Sequence, residues 1–188
     1  MKAKEFRISS FVFILMAVVL FSLSSCGDSP ASSKGDDLLK PGEPGLVVEY
    51  FNDKTFTNKV STGSMPNIDI EWRIWIGNEY PVPEITNHEQ YSIRWTGLIT
   101  VPETGVYTIF SRHDDGADIW INDTLVINEI TGAHFTEEFS GTISLVGGNT
   151  YPFKAELVNV AGEADIRLYW KYGNMGDKEI IPASAFSH

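Results

Sequence analysis

Two adjacent carboxylates, Asp114 and Asp115, stand between two apolar stretches of chain and are followed at once by Gly116. Physical chemistry allows this run two roles. As turn chemistry, an aspartate bonds its own backbone while the glycine supplies a positive φ. As ligand chemistry, two carboxylates on a tight loop supply half of a hard oxygen cage suited to Ca²⁺, which takes about six to eight oxygen ligands. The run is not an EF-hand loop, because its glycine comes too early after the first aspartate.

Catalytic chemistry has less to work with. There is no G-x-S-x-G elbow, no H-E-x-x-H and no Walker-type loop in the chain. His113 beside Asp114 reads either as a base with its orienting acid or as a solvated loop histidine, and no serine or metal-ligand pattern accompanies the first reading. Glu137 and Glu138 look like a carboxylate pair, but strand neighbours point to opposite faces and would not share a substrate. His88, His134 and His188 are isolated, and Asn122-Asp123-Thr124 reads as a turn. The expectation is a protein that is not an enzyme.

The elements that must position Asp114 and Asp115 are strands. Ile68, Ile70, Trp72, Ile74 and Ile76 alternate with Asp69, Glu71, Arg73 and Trp75, and Tyr91, Ile93 and Trp95 alternate with Ser92 and Arg94. Ile166, Leu168, Trp170 and Tyr172 alternate in the same way with Asp165, Arg167, Tyr169 and Lys171. A period of two places one apolar row on one strand face. Further strands are expected at 46–50, 106–111, 118–121, 125–128, 141–146 and 151–158, with turn residues between them. No window of ten residues carries an amphipathic helix, so the fold class is all-β, an antiparallel β-sandwich in a single domain. Trp72, Trp95 and Trp170 fall on apolar rows and are expected in the core. Trp120 and Trp75 fall out of phase with their isoleucine neighbours and are candidates for exposed stacking surfaces.

Charge narrows the ligand. The chain has 188 residues with 25 acidic against 14 basic ones, a formal net charge of −11. That balance repels phosphate backbones and argues against nucleic acid as a partner, whereas metal cations and neutral ligands suit it. The N-terminus breaks the pattern: Lys2, Lys4 and Arg7 precede the apolar run from Phe11 to Phe21, and small residues follow up to Cys26, the only cysteine. This is a signal-peptide layout, too short in its apolar run to span a bilayer as a stable helix. A lone cysteine has no internal disulfide partner. Residues 27–44 are rich in Gly, Ser, Pro and charge, as in a flexible tether.

Two resemblances sharpen this reading. Leu23-Ser-Ser-Cys26 resembles a bacterial lipobox, which implies cleavage of residues 1–25, diacylation of the Cys26 sulfur and a lipidated tether over 26–44. The mature chain would then be anchored at the cell envelope, on the outer membrane or cell surface. From residue 45 to 188 the chain resembles the protective-antigen-type β-sandwich family, PA-fourteen. Its hallmarks occur in order: Gly45-Leu-Val-Val-Glu-Tyr-Phe51, Tyr91-Ser-Ile-Arg-Trp-Thr-Gly97, Pro102-Glu-Thr-Gly-Val-Tyr107 and Asp114-Asp-Gly-Ala-Asp-Ile-Trp-Ile121. Gly147-Gly-Asn-Thr-Tyr-Pro152, Ala164-Asp-Ile-Arg-Leu-Tyr-Trp170 and Ile181-Pro-Ala-Ser184 follow.

The resemblance implies a binding module rather than a catalyst. In the family's lectins adjacent aspartates joined by a cis peptide hold Ca²⁺, which sugar hydroxyls also contact, and Asp114 and Asp115 match that pair. Asn159 matches the asparagine that such lectins add from a later loop, and Ala161 is placed to offer a carbonyl. That loop, 159–164, is shorter than in the lectins, and Glu163 is available to complete a metal shell. The expected site is therefore Asp114, Asp115 and Asn159 around Ca²⁺, with Asp114, Asp115 and Trp120 facing a glycan; an envelope protein is the alternative partner.

Overall fold

The computed structural model describes residues 42–72, 80–133 and 135–188. Cys26, the signal segment, Trp75 and His134 lie outside the described residues. Among the described residues the strands are β1 (Leu46–Phe51), β2 (Lys59–Met65), β3 (Asp69–Trp72), β4 (Tyr91–Thr100), β5 (Gly105–Asp114) and β6 (Gly116–Ile121). They continue as β7 (Thr124–Asn128), β8 (Glu137–Leu145), β9 (Thr150–Asn159), β10 (Ala164–Tyr172), β11 (Glu179–Ile180) and β12 (Phe186–Ser187). One sheet runs β2-β1-β4-β9-β6-β7 with β12 on β4; the other runs β11-β10-β5-β8 with β3 on β10. Every pairing is antiparallel. The expected all-β sandwich is what the chain forms.

The alternation read from the sequence sets the two faces. In β5, Tyr107, Ile109, Ser111 and His113 are buried while Thr108, Phe110, Arg112 and Asp114 are partly exposed. In β10, Ile166, Leu168 and Trp170 turn inward while Arg167, Tyr169 and Lys171 remain accessible. Trp72, Trp95 and Trp170 join the shared core as expected. Each fully buried large apolar side chain contributes roughly 1.5–3 kcal/mol, and the core spans both sheets.

Three differences from the sequence reading have physical causes. Strand β2, Lys59-Val-Ser-Thr-Gly-Ser-Met65, is an edge strand in which no residue is fully buried, so no apolar row marks it. Strand β8 begins at Glu137, ahead of the expected 141, because pairing with β5 carries the ladder through residues without apolar alternation. His113 is not a solvated loop residue: β5 extends through it, its ring is fully buried, and Nδ1 lies 2.8 Å from Ser111 Oγ. The imidazole stacks on Phe139 at 5.0 Å, inside the sandwich. The expected turn at Asn122-Asp123 is present, with both residues at positive φ between β6 and β7, as hairpin turns of this length require.

Gly116 is the point where layer geometry becomes strict. A Cβ there would stand 2.4 Å from the Ile130 carbonyl oxygen and 2.9 Å from that of Glu129, which are backbone atoms unable to swing away. The Asp118 carboxylate holds the same segment by accepting from the amides of Glu129 (2.8 Å) and Ile130 (3.0 Å). Gly116→Ala is therefore expected to destabilise the fold by about 1–3 kcal/mol through overpacking. Gly105→Ala, whose added Cβ meets no atom within 4 Å, is the control. Thermal unfolding checks both, and equal Tm values would contradict the close approach.

Candidate functional site

One end of the sandwich collects the polar groups singled out in the sequence. β5 ends at Asp114, β6 begins at Gly116, β9 ends at Asn159 and β10 begins at Ala164. The register aligns Tyr91 with Asn159, Val158 with Gly116, and Asp165 with Asp114. Asp114 and Asp115 are joined by a cis peptide bond. The structure thus brings Asp114, Asp115 and the loop after Asn159 to the same pole.

Each group has a distinct environment. Asp115 is 7% exposed, and its Oδ2 accepts hydrogen bonds from the amides of Val160 (2.6 Å) and Ala161 (3.2 Å). The loop is thereby tied to the aspartate pair. Asn159 is wholly buried at the end of β9, and neither its Oδ1 nor its Nδ2 has a hydrogen-bond partner in the protein. The neighbouring Tyr91 hydroxyl is equally buried and unpartnered. Burial, with smaller contributions from Asp115, Tyr80 and Asp114, holds the Tyr91 hydroxyl well above its ordinary pKa. Buried polar atoms without partners are costly, by roughly 1–3 kcal/mol each, so their clustering here points to a ligand position.

Asp114 carries the clearest electrostatic signature. Burial, then the charges of Asp115 and Asp165, push its carboxyl up to about 6. The single proton of the Thr136 hydroxyl is shared between Asp114 Oδ2 (3.5 Å) and Asp165 Oδ2 (3.3 Å), which partly offsets the crowding. Residue Phe135, next to Thr136, is 93% exposed. No motif in the sequence marks it, although an aromatic ring in the short run Thr-Gly-Ala-His-Phe-Thr between two strands is a visible signal.

A cation fits this donor set. The groups are hard oxygens, the orphaned amide of Asn159 lies among them, and among the described residues no basic side chain forms an ion pair with Asp114. Among the described residues no three His, Cys, Asp or Glu side chains gather as a metal cage, so two carboxylates, an amide and main-chain carbonyls would have to hold the ion. Such sets suit Ca²⁺, which accepts amide and backbone oxygens freely.

Trp120 is not brought to the pair. It lies near the far end of β6, where its ring lines a separate cleft of about 420 Å³ with Asp123, Pro152, Phe153 and Lys154. Lys154 Nζ sits 3.5 Å from the ring centroid and covers that face. Trp120 does point away from the core face of Ile119 and Ile121, as its phase implies.

Fold and pole together define a class: a two-layer antiparallel β-sandwich that gathers buried oxygen donors at the crossing between its layers. The chain belongs to the PA14 domain family, whose profile matches residues 42–184. It is 31% identical over 139 residues to anti-sigma-I factor RsgI3 of Acetivibrio thermocellus, covering 74% of this chain and 21% of that protein. An anti-sigma factor domain-containing protein from Clostridium clariflavum has a similar structure, with 29% identity, a TM-score of 0.68, and coverage of 86% of this chain and 52% of that one. The PA14 sugar-binding domain from an RTX adhesin shares the fold at 18% identity and a TM-score of 0.62, covering 78% of this chain and 99% of that one. The chain thus spans about one fifth of the curated relative and about half of the Clostridium protein.

The raised Asp114 carboxyl sets a pH dependence. A carboxyl whose folded pKa lies above its unfolded value binds more protons in the native state between the two, so stability falls as pH rises through that interval. Metal-free protein in EDTA is expected to gain Tm as pH drops from 7 towards 5. Asp114→Asn should flatten that rise, and an unchanged slope in the variant would remove Asp114 as its source.

Proposed function

We propose that this protein is a non-catalytic carbohydrate-binding module of the bacterial cell envelope, anchored by lipid on Cys26, that takes its glycan through Ca²⁺ at Asp114, Asp115 and Asn159. The observation that carries the reading is the wholly buried Asn159 amide, unpartnered at both atoms, at the end of β9 beside the Asp114–Asp115 pair. When bound, the ion supplies a charged centre to which vicinal sugar hydroxyls add as further oxygen ligands. Asp114 and Asp115 contribute charge, Asn159 contributes its amide oxygen, and the hydrogen bonds from Val160 and Ala161 fix the loop that closes the site.

Phe135 offers the stacking surface that Trp120, away from the pole and covered by Lys154, does not. An apolar ring beside polar donors is the usual makeup of a small-ligand site. The relatives support this direction: the RTX adhesin domain is described as sugar-binding. The resemblance of Leu23–Cys26 to a lipobox supports a place in the cell envelope, on the outer membrane or cell surface. His113 and Ser111, a buried histidine–serine contact in β5, are both sealed from solvent, which disfavours nucleophilic catalysis through them.

A second reading is that the aspartates only close a turn and that the partner is an envelope protein; the bonds from the loop amides to Asp115 favour it. Thermal unfolding with Ca²⁺ and with EDTA separates the two. At about 100 times the dissociation constant the ion adds about 2.7 kcal/mol, a rise of several degrees for a protein of this size. The rise should vanish in Asp114→Asn/Asp115→Asn, and a glycan array should show Ca²⁺-dependent binding weakened by Phe135→Ala with no loss of Tm. No Ca²⁺ shift and a blank array would overturn the carbohydrate reading in favour of the protein partner.

A further inference from the structure

The outward face of the smaller sheet carries a row of like charges beside the aspartate pair. Antiparallel register sets Glu71 of β3 opposite Asp165 of β10, and Asp165 opposite Asp114 of β5. Like charges directly opposite one another on a sheet are destabilising. The next row along the same strands, Asp69, Arg167, Arg112 and Glu138, is balanced in charge. Its arginines also reach back: Arg167 Nη2 binds Glu71 Oε2 at 2.8 Å, and Arg112 Nη1 lies 3.6 Å from Asp165 Oδ2.

Those contacts leave one oxygen of Asp165 unpaired. Asp165 is 6% exposed, and its buried Oδ1 has no hydrogen-bond partner. It lines a notch of about 70 Å³ together with Glu71, Arg112, Asp114, Thr136 and Glu163. A notch of that size holds the volume of about two water molecules. Four of its side chains are carboxylates and one is a guanidinium, so it favours a small group that donates hydrogen bonds and carries positive charge. Metal coordination needs ligands converging at about 2.3–2.6 Å, and no trio of acidic side chains among the described residues converges that way. An ammonium group tolerates longer, hydrogen-bonded contacts.

We infer that the Asp165 notch is a subsite for a protonated amino group, so that the glycan held at Asp114–Asp115 is an amino sugar with its amine free. This rests on the carbohydrate reading above. The ammonium donates to the carboxylate of Asp165, Glu163 and Asp114 add charge, and this largely acidic lining disfavours carboxylated sugars, while Arg112 stays engaged 3.6 Å from Asp165 Oδ2. An acetamido group would bring a methyl group and no charge into the same space.

The experiment compares D-glucosamine with D-glucose and N-acetyl-D-glucosamine, and D-galactosamine with its two counterparts, by calorimetry on the full mature chain in Ca²⁺ near pH 6. The amino member of a set is expected to bind on the order of tenfold tighter than its hydroxyl counterpart, the effect of one charge-assisted hydrogen bond. Asp165→Asn should erase that preference while the hydroxyl sugar still binds and Ca²⁺ still raises the Tm. Glu163→Gln, at a more accessible position, should reduce the preference and serves where Asp165→Asn does not fold. Equal affinity for amino and hydroxyl sugars, or glycan binding on an array with no preference for a free amine, overturns the inference and leaves the carbohydrate reading standing. Absence of any sugar binding, with or without Ca²⁺, overturns both.

Discussion

Strand β5 ends at Asp114 in one sheet and β6 begins at Gly116 in the other, so a single residue carries the chain between layers that pack about 10 Å apart in such folds. Most of what is distinctive at this pole follows from that crossing. Asp115 is drawn into the seam, where one oxygen of its carboxylate accepts from the backbone amides of the 160–161 segment. Gly116 must lack a side chain because the 129–130 backbone closes over it. Asp114, on the outward face, is left facing Asp165 across the ladder. A junction with more residues would let these groups reach water separately.

The electrostatic state of the pole is therefore a consequence of topology rather than of composition. The chain is acidic overall, yet charge on a solvated surface costs little and is screened within about 10 Å at ordinary salt. At the junction burial is the leading influence: it is the largest cause of the raised carboxyl of Asp114 and of the raised carboxyl of Asp165, ahead of neighbouring charge. Like charges and desolvation act in the same direction on Asp114. Arg112 and Arg167 counter them at Asp165, but neither forms an ion pair with Asp114. A bound cation would relieve both causes at once, which is why the pole makes chemical sense as a ligand site.

The sequence made the layers and the aspartate pair legible because both are local signals. Period-two alternation through 91–95 and 165–172 marks strands whose inward rows are core, and Asp-Asp-Gly between apolar runs marks a tight crossing. What it hid depends on pairing between distant segments. The Glu71–Asp165–Asp114 row exists only once β3, β10 and β5 are in register, and in the linear chain Asp165 is simply the polar partner of Ile166. The place of His113 is hidden for the same reason: next to two aspartates it looks solvated, but two more residues of ladder with β8 and β10 carry it into the interior. Trp120 shows the converse limit, since phase correctly gives its face while saying nothing of how far along β6 it stands from the pole.

Local rules are broken at one end of an otherwise consistent fold, and the location of the breakage is informative. Along β5 and β10 the outward rows are mixed or balanced: Tyr169 faces Phe110, with Lys178 over both rings, and Arg167 and Arg112 are flanked by Asp69 and Glu138. Only on reaching the crossing does the same alternation set acid against acid. Random drift of surface residues would not coincide with the buried, unpartnered Asn159, Tyr91 and Asp165 atoms at that same end. Sequences tolerate such concentrated conflict chiefly where function requires it. The extensive core shared by the two sheets holds these groups in place, and their unsatisfied state is then available to a ligand instead of being relaxed by local rearrangement.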